Sequence, residues 1–213
     1  MLGHEINPAL LIIDVQNGFV SDGGSYDHLG MNISKYQRVI PSISKLITVC
    51  RENSIPIFYT QAIRERSGID LLTKTHKILP ASREERINKL PICIRDTWDA
   101  DIVDEIKPLE TDHVIIKRRD SAFQDTEINL WLKNLGIDTL VFCGIDTSIC
   151  VETSLRDGFN NGYNVMLISD ATSSGSDKHY ESTLEIVRDY YGLVMRTDEF
   201  ATQLLLKQDA KIQ

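Results

Sequence analysis

The sequence predicts an α/β protein: a three-layer, doubly wound arrangement in which a six-stranded parallel sheet carries helices on both faces. Six short runs rich in apolar and β-branched residues recur along the chain, at Ala9–Asp14, Pro56–Gln61, His113–Arg118, Thr139–Ile145, Asn164–Asp170 and Leu193–Thr197. Within each run the apolar residues fall on nearly consecutive positions, as in strands buried on both faces. Between the runs apolar residues return at helical spacing, and alternating β and α segments fold as a mostly parallel sheet covered by helices.

After the first strand, Ile43, Leu46, Ile47 and Cys50 mark one face of a helix, with Pro41 suited to its first turn. The stretch from Ala62 to Glu110 breaks the rhythm. It is polar, contains three prolines, and is helix-prone only in pieces, Ser82–Leu90 and Asp99–Ile106. It is expected to run over the strand ends as the wall or lid of a pocket. A second helix carries Ile128, Trp131, Leu132 and Leu135 and is stopped by Gly136. Val151, Leu155 and Phe159 form a third stripe, and Tyr180, Leu184, Val187 and Tyr191 a fourth.

The chain has 213 residues, within the range of one domain spanning 1–213, with no repeat or linker. Its net charge of −8 argues against nucleic acid or an anionic membrane as partner. No apolar run approaches the ~20 residues of a membrane span, and the segment MLGHEINPALLIID lacks the basic start of a signal peptide. The four cysteines, Cys50, Cys93, Cys143 and Cys150, show no CxxC pair. Reduced thiols in a cytoplasmic protein, without a disulfide framework or zinc site, are the expectation.

In open α/β sheets, ligands sit at the carboxyl ends of the strands. There the predicted strands deliver Asp14, Gln61 and Lys117, and the fourth runs into GIDTSIC, with Cys150 opening a helix. Singly, each has an ordinary use: an Asp caps a turn, a Lys is solvated, a Cys fills core. Together at one sheet edge they form a nucleophile constellation. Helix N–H groups and Lys117 are expected to lower the Cys150 thiol pKa from its ordinary ~8.5. Thr147 or Ser148 is the expected cap. Asp14 is suited to take the thiol proton and return it to a leaving amine. Backbone N–H groups of Asp146 and Cys150 are suited to hold an oxyanion. The chemistry is acyl transfer from a carbonyl to a thiol, then to water.

Three segments, DVQNGF (14–19), KRRDSAF (117–123) and GIDTSICVETSLRDG (144–158), resemble the signatures of the isochorismatase-like cysteine hydrolases. That group includes nicotinamidases, N-carbamoylsarcosine amidases, biuret hydrolases and ureidoacrylate amidohydrolases. The resemblance runs from about Pro8 to Thr197. It implies Asp14 as general base and acid, Lys117 as stabilising cation, Cys150 as nucleophile, and a six-stranded parallel sheet. It also implies a cis peptide at Ile145–Asp146 that turns the Asp146 N–H toward the oxyanion. An Asp is unusual there, and its carboxylate must point away from the oxyanion or be paired. A homo-oligomer, dimer or tetramer, is implied as well.

Cys150 favours a C–N bond over the vinyl ether of true isochorismatases, which remains the alternative reaction. Nicotinamidases carry metal-binding histidines after strand two, whereas TQAIRERSG (60–68) has none and the next is His76. No metal or other cofactor is therefore expected. GGSYDHLGMN (23–32), DTWDADIVDEIKP (96–108) and SLRDGF (154–159) resemble the ureidoacrylate and biuret branch. This points to a small amide or ureide substrate that releases ammonia, with another small amide, as in N-carbamoylsarcosine amidases or nicotinamidases, as the further alternative. Candidate substrate contacts are Asn17 (through Asp14), Phe19, Gln61, Trp98 and Phe123. Arg64, Arg66 or Arg118 could clamp a substrate carboxylate.

Overall fold

The computed structural model describes residues 6–212, with side chains through 206. Residues 1–5, part of the stretch read for a leader, lie outside the described residues. The strands are β1 (Pro8–Ile13), β2 (Ile57–Ala62), β3 (His113–Lys117), β4 (Thr139–Ile145), β5 (Asn164–Ser173) and β6 (Leu193–Met195). They form one sheet in the order β3-β2-β1-β4-β5-β6, every pair parallel. The order reverses between β1 and β4, so their carboxyl ends flank the crevice where such folds bind ligands.

The longer helices are α1 (Ile40–Glu52), α2 (Ala81–Lys89), α3 (Ile128–Asn134), α4 (Glu152–Asn160), α5 (Asp177–Tyr190) and α6 (Thr197–Ile212). Side chains alternate across the sheet. Leu10 and Ile12 of β1 therefore join Ile43, Leu46 and Cys50 of α1 and Phe200 of α6 in one core. Leu11 and Ile13 join Leu132 of α3, Leu155 of α4 and Val187 of α5 on the opposite face. Pro41 lies in the first turn of α1, and Gly136 follows α3 at φ +66°, a conformation that suits a residue without Cβ.

Several elements depart from the sequence pattern. β3 is an edge strand, and its Val114 and Ile116 are exposed rather than buried on both faces. The last strand stops at Met195, because Thr197 instead turns into α6, its N–H and hydroxyl bound to Asp170. β5 runs on to Ser173 past a register shift opposite Phe142–Gly144. Gly144 is required at that place: a Cβ there would lie 2.2 Å from the Ile13 carbonyl oxygen.

The excursion contains α2, a one-turn helix at Leu72–Thr75 and two single 3₁₀ turns, Trp98–Ala100 and Asp104–Ile106, instead of a helix over 99–106. Long-range hydrogen bonds set its course. The Asp99 carboxylate accepts from the Ser25 N–H and hydroxyl and from the Cys93 N–H. Gln16, fully buried, donates to the Ala62 and Ala100 carbonyls and accepts from the Ala62 N–H. Three one-turn helices, Asn17–Val20, Ser25–His28 and Ser34–Gln37, connect β1 to α1.

Candidate active site

Asp14 follows β1 directly, at φ +52°, a left-handed conformation that Asp tolerates better than most residues. Its N–H donates to the Thr60 hydroxyl, which in turn donates to Oδ1 at 2.6 Å. Lys117 closes β3, and its Nζ stands 2.7 Å from Asp14 Oδ2 with both side chains buried. The same ammonium donates to the Arg119 and Asp120 carbonyls, both at 3.0 Å. Two hydrogen bonds to carbonyls and one ion pair thus hold the buried ammonium charged. Burial opposes that charge, but Asp14, with the Cys150 thiol and Asp120 beyond it, raises the Lys117 pKa above its ordinary value.

β4 ends in the cis peptide Ile145–Asp146. The turn after it is wider than an α-helical one: residues 147–151 form a π-helical turn, and the Asp146 carbonyl accepts from both Ile149 N–H and Val151 N–H. Cys150 stands in this turn, just before α4, rather than in the first turn of an α-helix. The cap is Asp146, not Thr147 or Ser148. Its Oδ1 accepts from the Ser148 N–H and hydroxyl, and its Oδ2 from the Tyr36 hydroxyl at 2.9 Å and the Gly175 N–H at 3.0 Å. With four donors on its two oxygens, this carboxylate is satisfied within the protein.

The Cys150 thiol faces Lys117 and Asp14. Burial pushes its pKa well up, Lys117 opposes the shift, and Asp14 and Asp120 add to it. This corrects the expectation of a lowered thiol pKa: desolvation and two carboxylates outweigh the single ammonium. The resting pair is a protonated thiol beside the Asp14 carboxyl group.

A cavity of about 120 Å³ opens over these residues. Asp14, Lys117, Asp146 and Cys150 line it with Phe19, Tyr26, Tyr36, Ile149 and, from the excursion, Arg64, Arg83, Arg86 and Ile87. These four residues, from the ends of β1, β3 and β4, are therefore brought together, and the excursion is part of the cavity wall. Of the other candidates, Phe19 reaches the cavity. Asn17 instead donates to the Trp98 carbonyl and accepts from Ser21, and Gln61 donates to the Ala100 carbonyl. Trp98 is half exposed beyond the cavity lining, and Phe123 packs in the core beside Tyr163. Arg66 and Arg118 lie outside the lining, Arg118 paired with Glu65.

Sequence reasoning missed Tyr26, Tyr36, Arg83 and Arg86. Tyr26 lies inside the GGSYDHLGMN segment, which was the one available signal. Among the described residues no three His, Cys, Asp or Glu side chains are grouped to hold a metal ion, and no helix is long and apolar enough to cross a membrane.

Comparison with known proteins agrees with the fold. The family described as Isochorismatase domain matches residues 8–199. The ureidoacrylate amidohydrolase RutB of Serratia proteamaculans is 33% identical over 205 residues, covering 92% of this chain and 82% of that protein. The crystal structure of an isochorismatase-like hydrolase from Alkaliphilus metalliredigens superposes with a TM-score of 0.72 at 26% identity, covering 92% of this chain and 98% of that one. A cysteine hydrolase from Pseudomonas syringae pv. phaseolicola shares the fold, with a TM-score of 0.79 at 22% identity over 95% of this chain and 98% of that one. The fold and site define a hydrolase with a cysteine at its centre. The chain belongs to the isochorismatase family.

Proposed function

We propose that this hydrolase is a cysteine-dependent amidohydrolase that cleaves a C–N bond of a small ureido or carbamoyl compound and releases ammonia. One observation carries the reading: Asp14 and Lys117, buried and 2.7 Å apart, share one cavity with Cys150. The similarity to ureidoacrylate amidohydrolases supports the ureide part of it.

In this mechanism the substrate carbonyl carbon is attacked by Cys150 Sγ while Asp14 takes the thiol proton. The carbonyl oxygen becomes an oxyanion held by the Asp146 and Cys150 N–H groups. The tetrahedral intermediate collapses to a thioester as the C–N bond breaks, and Asp14 passes its proton to the departing nitrogen, giving ammonia. Water then attacks the thioester with Asp14 again as base. The C–S bond breaks, the thiol regains a proton, and a carbamate or carboxylate leaves. Lys117 holds Asp14 in place and offsets its charge throughout.

The test is ammonia release from ureidoacrylate analogues, biuret, N-carbamoyl amino acids, nicotinamide and simple amides, by wild type and Cys150→Ala. Turnover is expected on ureides and should vanish in the variant, with a thioester adduct trapped on Cys150. Activity that survives Cys150→Ala would overturn the reading in favour of a thiol-independent reaction such as vinyl ether hydrolysis. We infer further a cytoplasmic homo-oligomer, a dimer or tetramer; the exposed Val114 and Ile116 on the edge strand support association. Light scattering checks it, and a monomer would refute it.

A further inference from the structure

The charge inside the cavity differs in sign from that of the protein. The chain carries a net −8, yet five cationic side chains, Arg64, Arg83, Arg86, Lys117 and Arg119, line the cavity against the carboxylates of Asp14, Asp120 and Asp146. Those carboxylates are already engaged. Asp14 pairs with Lys117, Asp120 takes both oxygens to Arg83 at 2.6 and 2.7 Å, and Asp146 is held by Tyr36, Ser148 and Gly175. Arg64 and Arg119 spend donors on backbone carbonyls. Arg86 is different. Only its Nε is used, on the Ser82 carbonyl one turn back in α2, and neither terminal nitrogen has a partner among the described residues.

Tyr26 lines the same cavity, close enough to Cys150 and to this guanidinium for both to act on its hydroxyl. Its ring is fixed edge-on to Phe19, with centroids 4.8 Å apart, and leans on Tyr36. Its hydroxyl has no hydrogen-bond partner among the described residues. Burial, with the Cys150 thiol near it, raises the Tyr26 pKa, and the Arg86 charge opposes this, so the hydroxyl remains a donor. A free guanidinium fork and a free phenolic O–H on the wall of a cavity containing a nucleophile match the two oxygens of a carboxylate.

We propose that Arg86, helped by the Tyr26 hydroxyl, binds a carboxylate at the end of the substrate remote from the carbonyl that Cys150 attacks. The substrate is then an anionic ureido or carbamoyl acid rather than a neutral amide. This assignment rests on the amidohydrolase reading and names a part of the substrate which that reading leaves open.

Two experiments separate the proposal from that reading. The first compares kcat/KM for carbamoyl acids and their uncharged carboxamides, in wild type, Arg86→Gln, Arg86→Lys and Tyr26→Phe. Arg86→Gln should lose at least tenfold on the acid and less than threefold on the carboxamide, with Arg86→Lys in between. Equal losses on both, or none, would overturn the assignment.

The second does not need turnover. Cys150 is alkylated with iodoacetate or 3-iodopropionate and with their amides, and the acid-to-amide rate ratio is read by mass spectrometry. Both reagents of a pair depend equally on the thiolate, so the ratio reports the charge that guides them. The ratio should fall at least fivefold in Arg86→Gln and hold in Arg66→Gln, which removes an exposed charge outside the cavity. An unchanged ratio in Arg86→Gln refutes the carboxylate site whatever the enzyme hydrolyses. A fallen ratio in a protein that releases no ammonia keeps the site and refutes the amidohydrolase reading instead.

Discussion

Lys117 Nζ and Asp14 Oδ2 stand 2.7 Å apart with neither side chain open to solvent, so neither charge can be removed without leaving the other buried alone. One link holds both stability and chemistry. It joins the ends of β1 and β3, which β2 separates in the sheet, and it holds the carboxylate in the cavity that Cys150 lines.

Lys117→Met is therefore expected to cost roughly 3–5 kcal/mol of stability, the usual range for breaking a buried pair from one side. It should also abolish turnover. Lys117→Arg should not restore it, because a planar guanidinium cannot donate to both carbonyls and keep its charge beside Asp14 as the compact ammonium does. Urea unfolding and ammonia release check both statements.

Alkylation of Cys150 in wild type should be slow at pH 7 and keep rising through pH 9, because burial holds the thiol protonated. Asp14→Asn removes a carboxylate that disfavours the thiolate and leaves Lys117 to favour it. The variant should react faster with iodoacetamide at pH 7 while losing turnover. Slower alkylation together with lost turnover would refute Asp14 as the group that keeps the thiol protonated.

Stability should fall in alkali. The thiol pKa values are raised in the fold by burial, Cys50 to about 12 and Cys93 and Cys143 well above the ordinary value. A raised folded pKa gives stability that is present below the ordinary thiol pKa and lost as pH rises toward the folded one. Above about pH 9 the unfolded thiols ionise while the folded ones do not. Each such group then removes up to about 1.4 kcal/mol per pH unit. Urea midpoints at pH 8 and pH 10.5 measure the drop, and Cys50→Ala should reduce it.

Asp99→Ala should loosen the cavity wall and leave the sheet intact. The substitution strips an acceptor from the Ser25 N–H and hydroxyl and from the Cys93 N–H, at about 1–3 kcal/mol per donor left unsatisfied. KM should rise several-fold, and a protease should cut within 81–95 faster than in wild type. Unchanged KM and cleavage would show that Asp99 does not hold the excursion in place.

The strand positions and the meeting of Asp14, Lys117 and Cys150 in one cavity were legible because their causes are local. Runs such as Ala9–Ile13 and Leu140–Cys143 must be buried, and burial on both faces needs a parallel sheet with covering helices. Once the strands are known, Asp14, Lys117 and Cys150 fall at their carboxyl ends without knowledge of any contact. The family resemblance rests separately on the segments 14–19, 117–123 and 144–158.

What lines the cavity could not be read the same way. Tyr26, Tyr36 and Arg86 reach it through loop paths set by Asp99 and Gln16, each bridging segments some 45 to 85 residues apart. No periodicity in the chain records such bonds. The thiol's protonation was misjudged for a related reason: the helix end and Lys117 are visible in sequence, whereas burial and the approach of Asp14 and Asp120 arise only on folding. Strand positions, the parallel sheet and the candidate residues Asp14, Lys117 and Cys150 were thus read from the sequence itself, whereas the strand order came from the structure. Tertiary structure decided which charges remain free inside the cavity, because desolvation and pairing belong to the folded arrangement rather than to any one segment.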